Sequence, residues 1–328
     1  MQQAQQGFSL LELMVALSIG LVLVAVGVQL FWTSQVNYHV QHAASTVQDS
    51  GVFGLNAVTK NIRLANHGNA GAMNDQTRYG GIVLSAQHVD QDTTQLGNLN
   101  GLKIEGTAVE GNAYISKAAA TPSALPSHAS DQLVVIYQAP VDMRTCTGKV
   151  VRGPDRSLNT MTKGWYVIEK YYVKKNDDQS ADLYCSDAFF IARGESTPQS
   201  LHKDDTETLT LTQTEQLQGD YGHHPGQMIA QHVEYMRVQL LVRYSDQHTA
   251  TLDVAQYQQL DTTSATRPAI IGIQLGWLVR SSEPVANTTR REYQVLDQTL
   301  QVPDDKFMRH IYSTTIALRN GGLGDVIQ

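Results

Sequence analysis

The sequence is 328 residues long, sets 24 Lys and Arg against 31 Asp and Glu for a formal net charge of −7, and is 41% hydrophobic and 17% charged. That length suits one large domain or two small ones, and the ordinary apolar content fits neither wholesale disorder nor a polytopic membrane protein. A net negative chain lacks the Lys and Arg surplus on which sequence-independent nucleic-acid binding draws, so direct nucleic-acid binding is not expected.

The apolar residues are unevenly spread. After an uncharged stretch, residues 1–7 (MQQAQQG), the chain runs FSLLELMVALSIGLVLVAVGVQLFW from Phe8 to Trp32 with Glu12 as its one ionisable side chain. About 25 such residues meet the length of a bilayer-spanning helix. A secretory signal peptide has a shorter apolar core, typically ~7 to 15 residues, and ends at small residues, whereas this run ends in Leu30, Phe31 and Trp32. A carboxylate at the centre of a membrane costs ~2.5 to 3.5 kcal/mol by insertion scales. Glu12 therefore either reaches the headgroups from near the start of the span or meets a positive partner.

Thr33 to Ala65 contains no proline, and Val36, Val40, Ala43, Ala44, Val47, Phe53, Leu55, Val58, Ile62 and Leu64 form a helical stripe with Gly68 and Gly71 as stop signals. The helix thus divides into a membrane half, 8–32, and a soluble half, 33–67, with an overall length of about 85 Å if continuous. Gly51 and Gly54 mark a weak spot, each costing roughly 1 kcal/mol relative to Ala. Two separate helices are the alternative.

Residues 68–130 are rich in Gly, Asn, Ala, Ser, Gln and Thr with brief apolar bursts at 81–84 and 102–104, and read as a loop-rich connector with short strands. From 131 to 328 the runs at 133–137, 165–174, 182–185, 189–192, 232–244, 270–279 and 311–318 are rich in β-branched and aromatic residues and read as strands. The stretch 176–180 (NDDQS) is a turn that makes 166–174 and 181–185 a hairpin. The fold class is α+β, a long helix with an antiparallel β-rich head.

Catalytic signatures are missing: the sequence has no GxSxG elbow, no phosphate-binding GxxxxGK[ST] loop and no HExxH. His223 and His224 beside Pro225 read as a polar turn, and Asp177, Asp178 and Asp182 lack the spacing of a calcium loop and read as a solvated turn. No enzyme activity, cofactor or metal is expected. Cys146 and Cys185 are the two cysteines, too few and too far apart for a zinc set or a CxxC redox motif.

The stretch Gly7-Phe8-Ser9-Leu10-Leu11-Glu12, followed by an apolar span, resembles the class III signal of type IV prepilins and type II secretion pseudopilins. The resemblance implies cleavage between Gly7 and Phe8 by a prepilin peptidase, N-methylation of Phe8, and pairing of Glu12 with the N-terminal amine of a neighbouring subunit during assembly. It departs from that pattern in residues 1–7, where Lys or Arg is usual; a start upstream of Met1 would supply them. Three strand blocks, 233–244 (VEYMRVQLLVRY), 271–281 (IGIQLGWLVRS) and 308–320 (MRHIYSTTIALRN), resemble those of PilW-type minor pilins. This second resemblance implies a pilin-like fold and a minor pilin that initiates or caps a type IV pilus, supporting adhesion, twitching motility or DNA uptake. Its partners would be the lipid bilayer, the peptidase, the inner-membrane assembly platform, other minor pilins and the major pilin. It would sit as a single-pass inner-membrane protein with a periplasmic head, then at the pilus tip or in the filament. A J-type pseudopilin of type II secretion and a membrane-anchored periplasmic binding module are the alternatives. In that oxidising compartment Cys146 and Cys185 are expected to form a disulfide, worth roughly 4 kcal/mol for a loop of ~40 residues; two separate buried thiols are the other reading.

Overall fold

The computed structural model describes residues 9–86, 97–155, 162–195, 200–203, 207–211, 213–222, 226–260, 267–285 and 290–321. The chain is α-helical over Leu10–Gln48, passes through one π-helical turn over Asp49–Phe53, and continues as α-helix over Gly54–Ile62. A π turn inserts an extra residue and rotates the face beyond it. Its position at Gly51 and Gly54 has a packing reason. A Cβ added to Gly51 would overlap the ring of Tyr312, and one added to Gly54 would lie 2.7 Å from the Cβ of Ala230. The glycines therefore let strands of two sheets approach the helix backbone. Two positions of the expected apolar stripe face out: Phe53, at the end of the π turn, is 70% exposed, and Ala44, before it, is exposed too, while Ala43, Val47, Val58 and Ile62 are buried.

Two antiparallel sheets share the core with this helix. The first has the spatial order Gln218–Gly219, Ala181–Phe190, Tyr166–Lys175, Ala129–Gln138, Lys117–Pro122, and Gln227–Ala230 also pairs along Ala181–Phe190. The second has the order Thr249–Asp253, Val233–Arg243, Ala269–Pro284, Phe307–Ala317. The NDDQS turn joins Tyr166–Lys175 to Ala181–Phe190, and the runs at 182–185 and 189–192 fall in or beside this single strand.

Strand alternation assigns each face its cover. In the first sheet Leu133, Val135, Tyr137, Val167, Tyr171 and Val173 point into the core shared with Val58 and Ile62 of the helix and with Met236, Val238 and Trp277 of the second sheet. Val134, Ile136, Tyr166, Ile168 and Phe190 point the other way, against Tyr79, Val83, Leu99, Leu102 and Ile115. The connector thus lies across the outer face of the first sheet and also contributes its edge strand, Lys117–Pro122. Its loops are held by side chains: the buried Asn98 accepts from the Leu84 N–H at 2.8 Å and donates to the carbonyls of Asn74 and Thr77 at 2.7 and 2.8 Å. The hairpin Glu292–Val295 with Gln298–Gln301 covers the outer face of the second sheet through Tyr293, Val295 and Leu300.

Where the sheets meet, side chains take the place of ladder bonds. The Met236 and Val238 N–H groups donate to Ser130 Oγ at 3.2 Å and Asp131 Oδ2 at 2.8 Å. Arg237 then pairs with Asp131, Asp253 and Asp297, and Arg309 is held by two bonds each to Glu234 and Asp305. Buried pairs of this kind need not raise stability over an apolar core, but losing one partner is costly.

Beneath the end of the helix lies a buried carboxylate. Glu169, fully buried, accepts from Asn61 Nδ2 at 3.0 Å, the Tyr137 hydroxyl at 2.9 Å, the Tyr171 hydroxyl at 2.6 Å and the Cys146 N–H at 2.7 Å. Its cross-strand partner is Asp187, itself buried and bound to Lys149 Nζ at 2.9 Å. Desolvation raises the Glu169 carboxyl to about 7, against the lowering effect of its donors and with some reinforcement from Asp187.

Gly51→Ala should force Tyr312 from its place and destabilise the head by roughly 1–3 kcal/mol; thermal unfolding would show this, with partial recovery on adding Tyr312→Ala. Between pH 4.5 and about 7 the folded protein keeps a proton on Glu169 that the unfolded chain has released, so its contribution to stability declines as pH rises through that window. Denaturation midpoints measured across this range should show a shallower decline in Glu169→Gln.

Candidate functional site

The helix begins with a capping box. Ser9 is the N-cap, its Oγ accepts from the Glu12 N–H at 3.2 Å, and the Ser9 N–H donates to Glu12 Oε2 at 3.3 Å. Two of the amide groups left over at any helix start are thereby satisfied, and the carboxylate sits at the positive end of the helix dipole. Sequence reasoning missed the capping role of Ser9, although the spacing Ser9-x-x-Glu12 ahead of an apolar run carries the signal for it.

From Ser9 to Gln35 every residue except Gly20 is exposed, including Leu10, Leu17, Leu21, Leu30, Phe31 and Trp32. The head first meets the helix further along. His39 Nδ1 lies 3.5 Å from Glu283 Oε2, and Ala43 and Val47 are the first buried side chains. An apolar rod of about 39 Å thus stands clear of the head, more than the roughly 30 Å of a bilayer's hydrocarbon core. Among the described residues, one helix is long and apolar enough to cross a membrane.

The remaining candidate residues lie elsewhere. Gly7 and Phe8 fall outside the described residues, as do His223 and His224. Cys146 and Cys185 are joined in a disulfide with Cα atoms 6.2 Å apart. It fastens the ribbon Met143–Arg144 with Val150–Val151 onto the first sheet. The same ribbon is tied down by the Cys146 N–H on Glu169 and by Thr147 Oγ1 donating to Asp187 Oδ2 at 2.6 Å. The disulfide therefore belongs to the polar cluster inside the head, whereas Glu12 stands at the free end of the helix. Asp178 closes its turn by accepting from the Ser180 N–H at 2.9 Å, and Asp182 accepts from Asn176 Nδ2 at 2.6 Å and the His232 N–H at 2.7 Å. No group of three or more metal-ligating side chains occurs among the described residues. Glu169, Asn61 and Asp187 were missed from sequence because nothing in a strand pattern marks which charged position turns inward.

No curated protein matches the chain. A solved type IV-like pilin from Thermus thermophilus aligns with 63% of this chain and 88% of its own at 12% identity and a TM-score of 0.29, an overlap that carries no argument about the fold. Residues 2–28 match the prokaryotic N-terminal methylation motif, which includes the capped helix start and most of the exposed apolar rod. Residues 170–320 match the family of type IV pilus-assembly protein W, a stretch that contains the whole second sheet and the strand bearing Cys185. Motif and head match together support a type IV pilus minor pilin of the PilW type.

Proposed function

We propose that this protein is a non-catalytic assembly subunit which, after cleavage between Gly7 and Phe8 and methylation of Phe8, helps initiate or cap a type IV pilus. The observation that carries the reading is the apolar rod free of the head, with one carboxylate, Glu12, near its tip. In a bilayer the rod is solvated by lipid. In a filament it must be covered by other helices, and removing residues 1–7 would leave a positive amine one residue before Ser9. A carboxylate in a low-dielectric bundle is strongly favoured beside such an amine over remaining alone. In the unassembled chain the capping box supplies Glu12 with local donors, so the pairing with a neighbour replaces an existing hydrogen bond. The head, with its two sheets and connector, is large for a repeating subunit and suits a tip or priming position in the inner membrane and then in the pilus, where adhesion, motility or DNA uptake would be supported through the filament.

Co-expression with a prepilin peptidase should yield a membrane-extracted chain that begins at Phe8 and carries one N-methyl group by intact mass; a chain still beginning at Met1 would sink the reading. Glu12→Ala should leave the protein anchored, oxidised and stable but reduce surface pili by an order of magnitude or more, counted by electron microscopy. Loss of protein secretion with a normal pilus count would instead place it in type II secretion.

A further inference from the structure

The exposed face of the helix ends at an open pocket of about 410 Å³ lined by Asn56, Thr59, Lys60, Arg63, Leu64 and Arg319. Asn56, Lys60 and Arg63 succeed one another at helical i, i+4 and i+3 steps and so share a face. Arg319 lies just past the end of the last strand, where bonds of its backbone and of the neighbouring Asn320 place it. Its N–H donates to the Arg63 carbonyl at 3.5 Å, and Asn66 and Asn320 donate their side-chain amides to each other's carbonyls at 3.3 and 3.1 Å. Three cations are thus held around one pocket. No acidic residue lines it, and none of the three forms an ion pair among the described residues. The helix dipole favours Lys60 and Arg63 near a helix C-terminus but gives no reason for Arg319, and the arrangement occurs in a chain of net charge −7.

One or two turns earlier on the same face stand Val52 and Phe53, 39% and 70% exposed, which the π turn has directed away from the head. We propose that this strip, an apolar knob ahead of a cationic pocket, docks an acidic amphipathic segment of another pilin subunit. Apolar side chains of that segment would cover Val52 and Phe53, and one or two carboxylates would enter the pocket, where arginine can bind them through paired N–H groups. A nucleic acid is the less suitable occupant: three cations in a concave pocket offer no track for successive phosphates, and the overall charge repels a polyanion. The inference rests on the reading of the chain as a pilus-assembly subunit, and adds where a partner binds and by what chemistry.

The test places a photo-crosslinking amino acid at Asn56 in the full-length chain, in cells that make the pilus, and identifies the cross-linked peptide by mass. The expected product joins Asn56 to an Asp- or Glu-bearing segment of another pilin subunit. Its yield should drop about tenfold in Arg63→Glu with Arg319→Glu, and persist in Arg63→Lys with Arg319→Lys. Absence of a product in the parent chain, an undiminished yield after charge reversal, or a cross-link to a molecule that is not a pilin overturns the proposal. So does binding of a labelled single-stranded oligonucleotide to the detergent-solubilised full chain that is lost with the same reversals. N-terminal processing at Phe8 is scored in the same strains: intact processing with a failed cross-link rejects the docking strip alone, whereas failed processing rejects the pilin reading beneath it.

Discussion

One helix has to satisfy two different surroundings, and most of the architecture answers to that requirement. Its first half needs an uninterrupted apolar surface, and its second half needs one face to fit a β-rich head. No other element packs on the first half among the described residues, and Leu, Val and Ile occur on every side of it. On the second half the head sets a limit on side-chain size. It comes so close at Gly51 and Gly54 that only a hydrogen fits: Gly51, inside the π turn, meets Tyr312 of the second sheet, and Gly54, just after it, meets Ala230 on the edge of the first. Residues that lower intrinsic helix stability are thereby put to use as contact points.

The polar interior of the head obeys the same logic of fixed geometry. Glu169 collects donors from the helix, from two strands of the first sheet and from the disulfide-linked ribbon. Four structural elements are therefore positioned by one carboxyl group that desolvation raises to about 7. Ser130 and Asp131 do a related task at the corner between the sheets, where strand geometry leaves backbone N–H groups that side chains must satisfy. Such sites define one arrangement of helix, sheets and loop more sharply than apolar packing does.

Much of this is readable from residues alone, and the exceptions have physical causes. The span, the helix beyond it, the principal strands and the NDDQS hairpin come from periodicity and turn chemistry, because those signals are local. Periodicity puts Phe53 on the wrong face because it assumes a constant helical pitch, which the π turn breaks locally, while Val58 and Ile62 beyond it are buried as periodicity expects. The connector reads as loops because its order depends on Asn98, Asn66 and Asn69 bonding to backbone groups, and asparagine in sequence marks a turn without naming its partner. Glu169, Asp187 and Asn61 are distant in the chain and come together only through strand register. Gly7, Phe8 and Glu12, by contrast, are legible as a motif because their chemistry lies in nearby residues of one short stretch.

The helix and the second sheet run side by side. His39 lies against Glu283 at one end, Gly51 against Tyr312 in the middle and Arg63 against Arg319 at the other. A pull on the free N-terminal end of the helix is directed along these contacts, so the interface is loaded in shear along its whole length. Contacts stressed in this way share the tension and must fail together, whereas contacts peeled from one end fail one by one. The relevant measure of strength for such a joint is its rate of rupture under force, which depends on the height of the unfolding barrier more than on equilibrium stability.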